Sequence, residues 1–354
     1  MGKRHDVVIA GGGPAGCAAA IALARNGVTD VVLADAAPPD GRRIGESIPP
    51  DTSLLLHRLG VLQRFLGDAH EPCPGSCSSW GADDLGYNDF VFNPLGNGWH
   101  LDRRRFDAML RDEVTAHGIE VRKARFDVRH PPPSRFTIDT TGPDAVVARS
   151  RGARRVFVDR LICVHGFFAA GEGSTLSRLT MLEAVADGWW YAARVPHGEI
   201  AVAFASDAQT IRRLDATRLA NFRALLAETR HLAPALAGCR LVEETLRSTH
   251  APSFILDRCA GDDWLAAGDA ASAYDPISAG GIYKALDDGL RAGEAITKAL
   301  AGDTAALEDY HASVAARYEQ YLANRRYFYS MERRFPKSDF WAKRRALPSP
   351  PDDV

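Results

Sequence analysis

The stretch Val7-Val8-Ile9-Ala10-Gly11-Gly12-Gly13-Pro14-Ala15-Gly16 decides the fold. Four apolar residues read as a short buried strand, and the pattern G-x-G-x-x-G follows at once. Pro14 to Asn26 is alanine-rich and helical, with Gly27 where a helix C-terminal glycine belongs. Val31 to Ala34 forms a second buried strand that ends at Asp35. Strand, glycine turn, helix and strand within about 35 residues open a parallel α/β sheet. In such a turn Gly11 permits the sharp reversal, Gly13 lets a pyrophosphate approach the backbone, and Gly16 lets the helix lie close on the strand. The phosphates then face the start of the helix at Pro14 and Ala15, the positive end of its dipole. Asp35 stands about 20 residues further on, where an acid binds ribose hydroxyls. The motif specifies a dinucleotide without separating FAD from NAD, and Asp35 argues against a 2′-phosphate.

Outward from that unit, the 354 residues suit two closely packed domains. A net charge of −2 gives no general field for nucleic acid. No apolar run reaches the roughly 18 residues a membrane span needs, and residues 1–6 carry no secretory signal pattern, so a cytoplasmic location is expected. The six cysteines make no disulfide framework, and the Cys73/Cys77 spacing is not that of a zinc knuckle, so no metal is expected. Arg103-Arg104-Arg105 and Arg151 to Arg155 read mainly as surface charge. Leu101 to His117 has helical period, whereas Val121 to Val158, with Phe136-Thr137-Ile138-Asp139, reads as an antiparallel hairpin. Aromatic strands and then helices fill Met181 to Leu246, and Thr304 to Arg345 is mostly helical.

Near the other end, Trp264 to Ala267 is a strand that runs into Gly268-Asp269-Ala270-Ala271, then Asp275-Pro276-Ile277-Ser278-Ala279-Gly280-Gly281 and a helix to Leu300. This is a second strand, small-residue loop and helix able to pass a flat ligand close to the backbone. The stretch resembles the second FAD motif of the para-hydroxybenzoate hydroxylase-like flavoproteins, which include class A flavin monooxygenases and flavin-dependent halogenases. The resemblance implies that Asp269 binds the ribityl or pyrophosphate region, that Pro276 lies beside the isoalloxazine, and that Gly280 and Gly281 present N–H groups near its N1/O2 end. Arg43-Ile44-Gly45-Glu46-Ser47 resembles the segment after the second strand in halogenase-like members, bringing Arg43, Glu46 and Ser47 to the cofactor. Arg103-x-x-Phe106-x-x-x-Leu110 resembles the helix whose arginine touches FAD, and Ala169 to Arg178 resembles the superfamily's middle motif. Asp187-Gly188-Trp189-Trp190-Tyr191 and the basic aromatic run to Arg345 are similar to the tryptophan-halogenase-like branch.

The fold so implied is α/β: a Rossmann-type, GR2-like FAD-binding domain with the para-hydroxybenzoate hydroxylase fold, an interleaved α+β substrate domain, and C-terminal helices. The FAD-binding domain is expected from residues 1–70, 98–180 and 255–302, and the substrate domain from 71–97 and 181–254. Helices are expected over 303–345 and a disordered tail over 346–354. The activity implied is oxygenation of a phenol- or indole-like substrate through a flavin C4a-hydroperoxide. Electrons would come from NADH or NADPH or from a separate flavin reductase. The substrate is a small aromatic or, alternatively, a tryptophan in a partner protein, as in maturation factors of the branch; an isoprenoid-reductase-like activity is a further alternative. Halogenases place a lysine soon after the Gly-Glu-Ser segment to handle hypohalous acid. No lysine lies between Lys3 and Lys123, which argues against halogenation. Phe168 stands where many members carry an acid, which bears on direct reduction by nicotinamide.

Catalytic candidates are Glu46, at the flavin edge or the substrate; His100, as a proton shuttle or a structural histidine; and Trp190, with Trp189 and Tyr191, as a pocket wall or strand core. Lys284 is expected to point to solvent, and the tyrosines of the C-terminal run to pack on the body of the protein.

Overall fold

A computed structural model describes residues 4–36, 44–242, 245–303 and 305–346. Arg43, and all of the expected tail 346–354 except Ala346, lie outside the described residues. His5–Ala10 and Val31–Asp35 pair in parallel, with Val7 opposite Val31 and Ile9 opposite Leu33. They sit inside a six-stranded sheet whose order is Ala260–Gly261, Trp264–Ala266, Ser134–Asp139, His5–Ala10, Val31–Asp35, Glu120–Lys123. The opening strand is buried on both faces, which is why it reads as an unbroken apolar run.

Ser134–Asp139 corrects the expected hairpin. It is an inner parallel strand, with Ile138 opposite Ile9 on one side and Leu265 on the other. Its polar alternation does not mark a solvent face. Thr137 and Asp139 are buried, and Asp139 accepts from Thr141 N at 3.0 Å, Thr141 Oγ1 at 2.7 Å and Ala148 N at 2.8 Å. A buried acid spent on a turn and a short helix, Val146–Ser150, looks in sequence like an exposed one.

The Pro14–Arg25 helix lies against the Gly281–Leu300 helix. A Cβ at Gly289 would stand 2.3 Å from Ala15 O, so the two helices meet backbone to backbone and nothing larger than glycine fits at their crossing. This contact joins the two ligand-facing loops as one unit.

A nine-stranded sheet forms the second layer, with Arg247–Leu256, Arg155–Ala169, Glu199–Asp207, Gly188–Val195, Thr180–Val185 and Gly75–Ser79 as successive neighbours. The change of sheet falls before Arg155, not at residue 180 where the sequence placed a boundary, because Arg155–Ala169 pairs along its length with two strands of this sheet. Helices Ala208–Arg213, Leu219–Ala227 and Leu232–Ala235 cover one face over a core that includes Trp190, Phe204 and Phe222. Against the other face lie Tyr329, Phe340 and Trp341 from the helices Ala305–Met331 and Asp339–Arg345. Among the described residues no helix is long and apolar enough to cross a membrane.

Candidate active site

The glycine turn has the geometry its motif demands. Gly11 has φ +109°, and a Cβ on Gly16 would fall 1.9 Å from Gly11 O. Thr140 Oγ1 donates to Ala10 O at 2.9 Å and to Gly11 O at 2.7 Å, fixing the turn from the neighbouring strand end. Gly13, by contrast, has open space where a Cβ would go. It is extended and supplies no side-chain cap, so the first N–H groups of the Pro14–Arg25 helix face that space. An uncapped helix start beside an open cradle suits a diphosphate. Asp35, at the second strand end, lies beside Gly12 and 4.0 Å from Arg111.

The second loop is held from behind. Lys284 donates to Gly268 O at 2.8 Å and to Asp288 at 2.7 Å, and Asp288 accepts from Gly268 N at 3.1 Å. Lys284 is 5% exposed, which corrects the expectation that it faces solvent. One turn into the helix, its stem points back at the turn that follows the Trp264–Ala266 strand. Asp269 is thereby set, exposed, on a cavity wall. Asp275 is completely buried. Its carboxylate accepts from Tyr329 at 2.8 Å and Arg325 at 3.1 Å, and its N–H donates to Tyr321 at 2.7 Å. Arg325 and Arg344 both pair with Asp159, and Arg344 also pairs with Asp207 at 2.8 Å.

Between the two loops lies a cavity of about 330 Å³. Pro14, Glu46, Ser47, Arg103, Asp269 and Pro276 line it, together with Gly280 and Gly281. Gly11 and Gly13 in the glycine turn, Ala15 and Gly16 at the helix start, and Asp35 at the second strand end lie beyond its wall. Arg103 donates to Gly45 O at 2.9 Å and pairs with Asp107 at 3.2 Å, so it anchors the Gly45–Ser47 segment.

Opposite the loops, the wall is the nine-stranded sheet. Trp189, Tyr191, Cys163, Ala201, Ala203 and His250 face inward. Alternation along the strand sends Trp190 to the other face, where its ring lies 4.9 Å from Phe204 and 5.0 Å from Phe222. Trp190 is therefore a core residue and not a cavity residue. His100 is also outside the cavity. It is wholly buried, its Nε2 is 2.9 Å from Thr180 Oγ1, and burial pushes it down to about 4. That corrects the shuttle reading in favour of the structural one.

Ala169–Arg178 does not reach this site. Gly171 closes against Gly238, where a Cβ would meet carbonyl oxygen at 2.2 Å, and Phe168 belongs to the core under the helices. Thr140 occupies the place beside the glycine turn and Pro143 joins the cavity wall, after the third parallel strand. The sequence signal missed was a Thr-Thr-Gly-Pro-Asp turn directly following a strand. With the motif displaced, Phe168 has no bearing on the cavity.

Glu46 differs from its neighbours. It is 1% exposed, and neither carboxyl oxygen has a hydrogen-bond partner among the described residues. Burial pushes its carboxyl up, with the Tyr191 hydroxyl and Arg103 acting in the opposite sense. The Tyr191 hydroxyl is 2.7 Å from Ser47 Oγ. Glu46 and Arg103 also border a neighbouring basin of about 580 Å³, lined by Arg104, Arg105, Phe167 and His197 among others.

A cradle for a diphosphate, a second loop opening onto the same chamber and this sheet order together define a class. It is the class of FAD-dependent oxidoreductases, and the chain is similar over most of its length to FAD-dependent oxidoreductases and flavin-dependent halogenases. Residues 4–155 match the family described as FAD binding domain. The chain is 26% identical, over 98% of its length and 98% of the other protein, to LodB of Marinomonas mediterranea, which is named as an FAD-dependent oxidoreductase. Among solved structures it is similar to the flavin-dependent halogenase CmlS, with 26% identity and a TM-score of 0.84 over 99% of this chain and 69% of that one. Its fold is also that of the peptidyl tryptophan dihydroxylase QhpG, with 24% identity and a TM-score of 0.80 over 98% of this chain and 80% of that one.

Proposed function

We propose that this chain is an FAD-dependent monooxygenase that oxygenates an aromatic substrate, phenol- or indole-like, in the cavity between the two loops and the Trp189/Tyr191 wall. One observation carries the reading: Pro14 at the first helix start and Arg103, Asp269, Pro276, Gly280 and Gly281, all suited to hold FAD, share a single cavity with a wall of aromatic and small side chains. Trp189 and Tyr191 beside Cys163, Ala201 and Ala203 leave a flat slot between large and small surfaces, the shape an aromatic ring fills. Bound FAD, once reduced, supplies the activation of dioxygen and transfer of one oxygen atom.

The protein's own share is threefold. Gly13 and the Pro14–Arg25 helix start hold the diphosphate, with Asp269 and Arg103 on the ribityl side. Gly280 and Gly281, at the start of the Gly281–Leu300 helix, offer N–H groups to negative charge on the ring. The apolar wall keeps water from the reacting atoms. Among the described residues no lysine lines the cavity, and this supports oxygenation over halogenation.

The test is anaerobic mixing of FAD-loaded protein with NADH or NADPH, followed by flavin absorbance and then by admission of oxygen with an aromatic substrate. Bleaching by nicotinamide and substrate-dependent oxygenation mark a self-sufficient monooxygenase. Bleaching only with an added flavin reductase marks a two-component enzyme, and failure to bind FAD overturns the proposal.

A second reading has the aromatic ring belong to a tryptophan of a partner protein. His250, Pro276 and Ala279 on the cavity wall are exposed, so the chamber reaches the surface, and the likeness to QhpG extends over nearly the whole chain. Oxygenation of a tryptophan-containing peptide, with free indoles left unreacted, would select it.

A further inference from the structure

Glu46 presents a physical problem that its surroundings do not solve. A buried carboxyl with no hydrogen bond carries its full desolvation cost, and here both oxygens lack partners among the described residues. The Tyr191 hydroxyl, which acts against the rise of the Glu46 carboxyl, is 2.7 Å from Ser47 Oγ. Arg103 is committed to Gly45 O and Asp107. Glu46 borders the cavity where the Gly45–Ser47 segment meets the Tyr191 strand. Cys163, Ala201 and Ala203 on the facing wall offer no strong side-chain hydrogen-bond donor.

We propose that Glu46 is the substrate-recognising group of this chamber, accepting a hydrogen bond from the ring N–H or phenolic O–H of the aromatic substrate. The assignment rests on the aromatic-oxygenation reading above and narrows it: the substrate class is an aromatic that carries a ring N–H or O–H donor. An acceptor left unpaired in the free site gains a partner from such a ring and from no hydrocarbon or thioether isostere. A site built around a buried polar group rejects the analogue that lacks the matching donor far more strongly than an apolar slot can.

The experiment uses FAD-loaded protein and two probes of nearly equal shape, indole and benzothiophene, with affinity read from perturbation of the flavin spectrum. Wild-type protein is expected to prefer indole by about tenfold or more, the range of a hydrogen bond to a charged group. Glu46→Leu is expected to bring the two affinities together. Equal affinities in the wild type overturn the assignment without recourse to a variant. A preference for indole that survives in Glu46→Leu also overturns it, as does a variant whose unliganded flavin spectrum changes while the preference stays. In each of those cases aromatic binding persists and the monooxygenase reading stands. Failure of the wild type to bind either ring removes the aromatic reading and this assignment together.

Discussion

Lys284 and Asp288, one helical turn apart, hold both backbone polar groups of Gly268: the ammonium reaches its carbonyl at 2.8 Å and the carboxylate takes its N–H at 3.1 Å. The pair is almost wholly buried and fixes the turn that sets Asp269 on the cavity wall. Removing one partner of a buried pair leaves a charge without compensation. Lys284→Met is therefore expected to cost about 3 kcal/mol of stability and to weaken FAD binding. Arg317, 2.5 Å from Asp288, keeps the loss from being larger. Denaturant unfolding of the apoprotein checks the figure, and the double variant Lys284→Met/Asp288→Leu is expected to cost less than the sum of the single changes.

Gly13 and Gly16 look interchangeable in the motif and are not. A Cβ at Gly16 collides with the Gly11 carbonyl, whereas one at Gly13 meets nothing. Gly16→Ala is expected to lower the unfolding midpoint of the apoprotein. Gly13→Ala is expected to leave apoprotein stability within about 0.5 kcal/mol and to lose FAD, because its methyl fills the space of the diphosphate. Thermal unfolding without cofactor and retention of FAD on gel filtration separate the two. A Gly13→Ala protein that still holds FAD would remove the cradle from its assigned place.

Trp189 and Trp190 divide wall from core. Trp190→Ala opens a hole between Phe204 and Phe222 and is expected to cost about 3–5 kcal/mol. Trp189→Phe keeps most of the packing but gives up the bond from Nε1 to Tyr329, 3.2 Å away. It is expected to change the affinity for aromatic ligands several-fold with about 1 kcal/mol of lost stability. Ligand titration and unfolding on both variants report the contrast.

His100 and His165 are buried, and burial pushes each down to about 4; His70 is shifted in the same direction. Above about pH 6.5, the ordinary histidine value, these rings are neutral in folded and unfolded chains alike and do not bias folding. Between about pH 6.5 and 4 the unfolded chain takes up protons that the folded protein refuses. Stability therefore falls as pH falls, by about 1.4 kcal/mol per pH unit for each of His100 and His165. Unfolding measured from pH 7 to 4.5 is expected to show that slope, reduced by one proton in His100→Gln.

The two loops were legible in the sequence because each is local: a strand, small residues at fixed spacing, and a helix, all within one span of chain. What the sequence left open depends on long-range placement. Trp189 and Trp190 had to face opposite sides of a strand, yet only the packed sheet decides which of them meets the cavity. Thr137 and Asp139 mimic a solvent-facing alternation because a buried acid capping a turn has the same letter as an exposed one. Lys284 was misplaced for the same reason, its partners Gly268 and Asp288 being visible only once the helix is folded back on the loop. Ala169–Arg178 shows how a Gly-Ser-Thr run with the right composition can sit far from the ligand, while Thr140 and Pro143 carry the place without a glycine-rich signature. Glu46 was a candidate from its segment, but that its carboxyl is buried without a hydrogen-bond partner among the described residues is visible only once the Gly45–Ser47 segment packs against the Tyr191 strand.

The Asp275 carboxylate, on the loop beside the cavity, depends on Arg325 and Tyr329, and Arg325 in turn shares Asp159 with Arg344. In time, this means that the ribosome delivers the glycine turn first and the groups that fix the second loop some three hundred residues later. A nascent chain halted before residue 325 contains every backbone atom of both loops and none of the cations that hold Asp275 in place. The second loop is thus made before its own fastening, and the helices Ala305–Met331 and Asp339–Arg345 act as the latch that closes on Asp275.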